Sequence, residues 1–308
     1  MTYLIKRSLF AIPVLLLTAL LVFLALHLSP GDPVDLLVSP LATESVRERM
    51  RTKLGLDKPL AVQFFIYMGN IAQGNLGESI INKQPVADLI KQKLPITAEL
   101  GAAAFVLAYL LAIPLGTIAA LNRNSILDWF SMILAMVGVS MPDFWLGLIL
   151  MLVFAVTFKW LPATGYGTID KLILPVLALG LPRVGRIARI TRSSVLEVVN
   201  QDYVRTARSK GIPERIVISL HILRNSLIPI ISLMGLDLGY IVGGAVVIEH
   251  VFARPGVGDM MLQSIYSRDF PVLQGCMFVL ALAIILGNIL ADLLYVVVDP
   301  RISHESSQ

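Results

Sequence analysis

Five stretches of this chain, Leu9–Leu28, Thr97–Leu121, Ile126–Phe158, Leu227–Ile248 and Gln274–Val298, each hold about twenty or more predominantly apolar residues. That is the length an α-helix needs to cross some 30 Å of hydrocarbon, roughly 20 residues at about 1.5 Å each. No water is present there to satisfy backbone N–H and C=O groups, so such segments must close their hydrogen bonds on themselves. The chain is therefore expected to be an all-α integral membrane protein. A mean hydropathy of +0.78 with only 15% charged residues sets aside a soluble fold.

A sixth stretch, Ile169–Arg189, is weaker. Its apolar core, Leu172–Leu181, is short, Pro175 and Pro182 interrupt it, and Arg183 and Arg186 follow closely. Charge decides whether it crosses. If it did not, the loop bearing Arg183, Arg186, Arg189, Arg192, Arg205, Arg208, Lys210, Arg215 and Arg224 would lie opposite the basic N-terminus with Lys6 and Arg7. With six crossings these residues share one side with Arg123 and Arg301, and the short outer loops keep only Lys159, Lys171, Arg254 and Arg268. Short cytoplasmic loops carry the excess of Lys and Arg, so six helices with both termini cytoplasmic are expected. Lys6 and Arg7 before an apolar run resemble a signal peptide, but the run is long enough to span and no small-residue cleavage site follows. It is read as the first helix.

The net charge of +4 does not point to nucleic acid, because the basic residues concentrate in one loop without the interleaved aromatics that stack bases. The single cysteine, Cys276, lies in an apolar run, which excludes an internal disulfide and gives it the part of a small buried hydrophobe.

Residues 29–96 form a long outer segment with its own helix punctuation. Ser45 and Glu48 make a capping box, Gly55 a stop, Leu60–Gln73 an amphipathic stretch, and Pro85 a first-turn residue before Val86–Lys93. A small helical insert on the outer face is expected, either contacting a partner outside the membrane or packed as a lid. The whole of 1–308 is read as a single transmembrane domain, with 182–225 as its cytoplasmic loop.

That loop contains Asp202–Pro229, DYVRTARSKGIPERIVISLHILRNSLIP. Asp202 can cap a helix, Gly211 can end it in the left-handed conformation and Pro213 forbids its continuation, which leaves about two turns. Tyr203, Ala207 and Gly211 then share a face with one aromatic knob and small neighbours, while Arg205 and Arg208 share another. Such a helix suits insertion into a groove of a partner; a solvated linker is the plainer alternative.

Catalytic chemistry has little support. The chain lacks a Walker A loop, HExxH and CxxC, and His27, His221, His250 and His304 are dispersed. More telling are Asp143, beside the kink residue Pro142, and Asp237, each near the middle of a span. A carboxylate there costs about 2.5–3.5 kcal/mol on insertion scales, so each is expected to face the bundle interior or a wet path. No Lys or Arg is placed at comparable depth to neutralise them. They either line a route for a polar or amine-bearing solute or make packing hydrogen bonds; Asp292 and Glu99 share that ambiguity. Gly235, Gly239, Gly243, Gly244 and Ala245 would let their helix approach another closely, in the core or at a subunit interface.

These segments resemble, nearly end to end, the membrane subunits of ATP-binding-cassette importers of the peptide and nickel permease family, in the type with a long outer loop after the first helix. The resemblance is carried by LSPGDPVD at Leu28–Asp35, LGLDKPLAVQF at Leu54–Phe64, GNLGES at Gly74–Ser79 and GVSMPDFWLG at Gly138–Gly147. It continues through LPATGYG at Leu161–Gly167, DYVRTARSKG at Asp202–Gly211, LRNSLIP at Leu223–Pro229, EHVFARPGVG at Glu249–Gly258, RDFPVLQG at Arg268–Gly275 and DPRI at Asp299–Ile302. It implies a type I importer permease fold of six transmembrane helices in a bacterial inner membrane. The helix around Tyr203, Arg205, Ala207, Arg208 and Gly211 would be the coupling helix of the EAA loop, docking on an ATPase. Arg205 and Thr206 stand where general permeases carry Glu and the first Ala, so no salt bridge of that Glu is carried over.

The resemblance further implies a second homologous permease, two ATP-binding subunits holding ATP and Mg, and an external solute-binding protein, with lipid around the bundle. No cofactor is expected on this chain. The outer segment together with Glu249, Arg254 and Asp269 would face the binding protein, and Pro142, Asp143 and Asp237 would lie on the path. Peptides are the first expected solute, with nickel or a metal chelate and glutathione as alternatives. An ion-coupled secondary transporter built on Asp143 and Asp237, and an intramembrane hydrolase, are the rival classes.

Overall fold

A computed structural model describes residues 2–27, 43–54 and 57–298. The motifs Leu28–Asp35 and Asp299–Ile302, the stop at Gly55 and the side chain of Asp292 fall outside the described residues. The described residues are helical throughout, with one isolated antiparallel bridge between Glu78 and Pro85.

The elements, in chain order, are α1 (Thr2–His27), α2 (Glu44–Leu54), α3 (Leu60–Ala72), α4 (Val86–Leu121), α5 (Ile126–Ser140) and α6 (Asp143–Leu150), whose last residues run on as a π-helical segment, Met151–Thr157. There follow α7 (Asp170–Val199), α8 (Asp202–Ser209), and α9 (Glu214–Ile216), which continues through a second π-helical segment, Val217–Leu223, into α10 (Arg224–Val251). The short α11 (Val257–Tyr266) and the long α12 (Phe270–Val298) close the chain. Among the described residues three segments are long and apolar enough to cross a membrane alone, Val86–Leu121, Glu214–Gly239 and Phe270–Leu290. Asp128–Gly138 and Asp143–Thr157 make a fourth if the bent pair is one span.

Several expected boundaries move. In the insert, Ser45 lies inside α2 and Thr43 precedes it, so the capping box at Ser45 and Glu48 does not form; Val46 and Arg47 donate to the Thr43 carbonyl instead. Val86–Lys93 is not a separate insert helix but the first turns of α4, which runs through Pro95 and Pro114. A helix-interior proline costs roughly 3 kcal/mol. Here Val86, Leu89 and Ile90 are buried with Val257, Val272, Cys276 and Leu280, and at about 1.5–3 kcal/mol for each large side chain this burial keeps the turns before Pro95 in line.

The weak sixth stretch is the centre of the fold. α7 is a continuous 30-residue helix despite Pro175 and Pro182, packed against α4, α5, α6 and α10. Arg183, Arg186, Arg189 and Arg192 are therefore helical residues, and the cytoplasmic loop expected at 182–225 begins only after Val199. Small residues permit the packing: a Cβ on Gly185 would collide with the backbone of Ala135 in α5, and one on Gly116 in α4 with that of Ala188. Gly185→Ala is expected to separate α5 from α7 and to cost about 1–3 kcal/mol, an overpacking penalty read as a lower unfolding temperature of the purified protein. Gly69, which has nothing within 4 Å of its Cβ position, is the control expected to tolerate alanine.

Candidate functional site

The segment expected to dock on a partner, α8, is an eight-residue helix lying between the end of α7 and the start of α10. Gln201, not Asp202, holds the N-cap position, and it makes no side-chain cap; Asp202 is the first helical residue, 99% exposed and 3.9 Å from Arg205. The helix ends as expected. Gly211 adopts φ 72°, its N–H bonds the Arg208 carbonyl at 2.9 Å, and Ile212 N–H reaches Ala207 at 3.3 Å. This closure needs a residue at ease with positive φ.

The face expected from Tyr203, Ala207 and Gly211 divides. Ala207 is buried, and with Val204 it packs into a cluster with Ala120, Val195, Val217 and Ile222. Ala207 therefore anchors α8 to the bundle and is not presented to a partner. Tyr203 is 44% exposed and the Arg205 side chain 70% exposed, so they make the outward face. Arg208 turns sideways and donates from Nε and Nη2 to Glu214 at 3.2 and 2.7 Å. Those bonds hold its pKa above the ordinary guanidinium value and tie α8 to α9.

At mid-span the expectation of unneutralised carboxylates is overturned. Asp237 of α10 is fully buried, accepts a 2.7 Å hydrogen bond from the Tyr109 hydroxyl of α4, and is ion-paired with Arg186 of α7. Asp143 is not at mid-helix. α5 ends at Ser140, Met141 and Pro142 are extended, and Asp143 opens α6, where the helix dipole favours a carboxylate. Its Oδ2 lies 3.4 Å from Nη1 of the buried Arg183, which also donates to the Leu179 carbonyl. Nearer the C-terminal end of α7, Arg192 forks onto Asp128 at 2.6 and 2.7 Å. Three arginines of one helix thus each hold a carboxylate of a different neighbour. Tyr109, Arg183, Arg186 and the Asp128–Arg192 pair escaped the sequence reading because the arginines were assigned to a loop.

Pro142, Asp143, Arg183, Arg186, Gly244 and Val247 line part of a cavity of about 530 Å³ at the break between α5 and α6. A Cβ on Gly244 would stand 3.0 Å from Arg183 Nη2 and 3.5 Å from Asp143 Oδ2, so glycine keeps that wall clear. Pro142 and Asp143 face the same space, with Asp237 one residue behind it through Arg186.

Glu249, Arg254 and Asp269, expected to face the binding protein, are 0%, 1% and 3% exposed, which corrects the expectation that they present surface contacts. Each clamps a loop. Glu249 accepts from the N–H groups of Gly258 and Asp259 at the start of α11, at 2.8 and 3.2 Å. Arg254 donates to Glu99 at 2.9 Å and lies over the Tyr166 ring at 5.2 Å. Asp269 accepts from Ser79 Oγ at 2.5 Å and Ile80 N–H at 3.1 Å, pinning the insert to the start of α12. Asp269→Ala leaves those donors without a partner, at about 1–3 kcal/mol. Limited proteolysis is expected to open residues 79–85 in that variant at least several-fold faster than in the native chain.

Residues 1–101 match the family model for the N-terminal part of binding-protein-dependent transport system membrane components. Residues 112–304 match that of the binding-protein-dependent transport system inner membrane component. A putative peptide transport system permease protein of Brucella suis biovar 1 is 42% identical over 98% of this chain and 98% of its own length. The glutathione transport system permease protein of Escherichia coli O6:H1 is 42% identical over 99% of this chain and all of its own. Among solved structures, an inward-facing form of the MetNI methionine ABC transporter aligns at a TM-score of 0.59 and 17% identity, over 68% of this chain and 96% of that one, a likeness of fold. An all-helical membrane chain with a short, firmly seated helix between two long ones and a charged cavity at a helix break therefore belongs to the binding-protein-dependent transport inner membrane components, as an ABC importer permease of the peptide and oligopeptide family.

Proposed function

We propose that this chain forms half of the translocation path of a peptide importer and takes its drive from ATPase subunits through α8. The observation that carries the reading is the two-sided nature of that helix: Val204 and Ala207 are sunk in the bundle while Tyr203 and Arg205 stand outside it. A partner that displaces α8 must displace α7 and α10 as well, since they join it within a few residues on either side. From Val199 to Arg186 along α7 is about 20 Å at 1.5 Å per residue, so such a movement arrives at the ion-paired cavity. Alternating access then follows as a rigid-body switch between two packings.

The assembly in this reading has one further homologous permease, two ATPases carrying ATP and Mg, and an external solute-binding protein. Six helices cross the inner membrane with both termini cytoplasmic, residues 29–96 form the outer insert, and residues 182–225 hold the end of α7 with the coupling segment. Peptide as solute is supported by the Brucella relative's name. Glutathione, itself a modified peptide, is the second reading on the strength of the Escherichia coli relative.

The test is ATP-driven uptake by proteoliposomes holding the complete complex, with a labelled dipeptide and glutathione in parallel. Peptide uptake that stops without ATP is the expected result. Uptake that persists without the ATPases and collapses with an ion gradient would replace this reading by an ion-coupled transporter using Asp143 and Asp237.

A further inference from the structure

We infer that the cavity at the α5–α6 break reads the charged termini of a passing peptide, with Arg186 receiving the carboxylate and Asp143 the ammonium group. The inference rests on the peptide reading above and extends it by giving the permease its own share of selectivity.

The cavity offers both signs of charge. Arg186 is held from behind: Asp237, 1% exposed, takes one of its N–H groups, while the Arg186 side chain as a whole stays 41% exposed and lines the cavity. A guanidinium carries five N–H donors in a planar fork, so a second carboxylate can be accepted at its open edge. Asp143 lines the same cavity, on the first residue of a half-helix, with its side chain 27% exposed and Oδ2 3.4 Å from Arg183 Nη1. Half-helix ends directed into a mid-membrane cavity are a recurrent means of meeting charged solutes.

The combination selects against solutes of a single sign. The exposed Arg186 side chain repels a simple cation, and Asp143, which shares its charge with the buried Arg183 at 3.4 Å, repels a simple anion. A zwitterion with an amine and a carboxylate satisfies both charges whatever its side chains are. The volume of about 530 Å³ lies within the range of roughly 300–1,000 Å³ typical of small-ligand sites. Gly244 keeps the space beside Asp143 and Arg183 free of side chain.

The complete importer in proteoliposomes is offered one labelled dipeptide in three forms: free, C-terminally amidated and N-terminally acetylated. Each is measured with the native permease, with the charge-balanced pair Arg186→Gln and Asp237→Asn, and with Asp143→Asn. A charge-assisted hydrogen bond is worth about tenfold or more in such a site. The double variant is expected to lose about tenfold of the native preference for the free over the amidated form and to keep the preference over the acetylated form. Asp143→Asn is expected to do the reverse.

The solute-binding protein contributes the same factor in every complex, so a changed ratio belongs to the permease. Unchanged ratios in both variants overturn the inference and leave the peptide reading standing. Absence of uptake of all three forms by the native complex overturns the peptide reading, and this inference with it. Should the double variant fail to assemble, Gly244→Val narrows the cavity with every charge in place. It is expected to depress uptake of a tripeptide more than of a dipeptide, and equal effects on both overturn the assignment of this cavity to the path.

Discussion

Asp237→Ala is expected to leave little correctly assembled protein, while Asp237→Leu combined with Arg186→Met is expected to restore most of it. The carboxylate is fully buried and is claimed from two sides, by the Tyr109 hydroxyl and by Arg186. Removing it strands a guanidinium inside the bundle and leaves the buried Tyr109 hydroxyl without its acceptor. Breaking a buried pair costs about 3–5 kcal/mol, and the 41% exposure of the Arg186 side chain moves this case toward the lower end. Against a stability of roughly 5–15 kcal/mol, that loss is large. Removing both charges instead takes away the desolvation penalty along with the attraction, which is why apolar replacements of whole buried pairs are often neutral. The measurement is the yield and unfolding temperature of the complex extracted in detergent. A double variant as unstable as the single one would show that the pair is not what joins α7 to α10 at this level.

Tyr203→Asp and Gly211→Pro are expected to abolish recovery of ATPase subunits with this chain, for different physical reasons. Tyr203 is exposed and is not needed to seat α8, so a charge there spares the fold and strikes only what docks on it. Loss of an aromatic anchor at an interface costs at least about 2 kcal/mol, a thirtyfold weaker complex. Proline at 211 acts on the backbone. It demands φ near −65°, whereas Gly211 stands at +72° and donates its N–H to Arg208, so the closure that aims Tyr203 is lost. Gly211→Asn, which tolerates positive φ, is expected to retain most of the ATPase. Equal recovery from the native chain, Tyr203→Asp and Gly211→Pro would remove the coupling role from α8.

Much of this architecture was legible before any coordinates. The long apolar runs around Thr97–Leu121, Leu227–Ile248 and Gln274–Val298 became helices, because hydrocarbon leaves the backbone no other partner. The punctuation of α8 was also local information: a glycine able to take positive φ, and a proline two residues on. What went astray were the ends of elements and the partners of charges. α4 absorbed a segment assigned to the insert, because burial against α11 and α12 outweighed Pro95. Ala207 turned inward because Val195, Val217 and Ile222 meet it there, which no four-residue spacing within α8 can reveal.

The amino-acid sequence by itself determined that the chain is helical, that it lies in a membrane, and where the short helix α8 ends. These are consequences of length, hydropathy and single-residue backbone preference, and they act over a few turns of chain. Tertiary structure alone decided that an arginine-rich stretch would be the central helix instead of a loop. Arg186 and Asp237 are 51 residues apart, Arg192 and Asp128 64. Only the packed bundle brings each guanidinium to its carboxylate, and that pairing makes three arginines admissible on a helix at the heart of the fold.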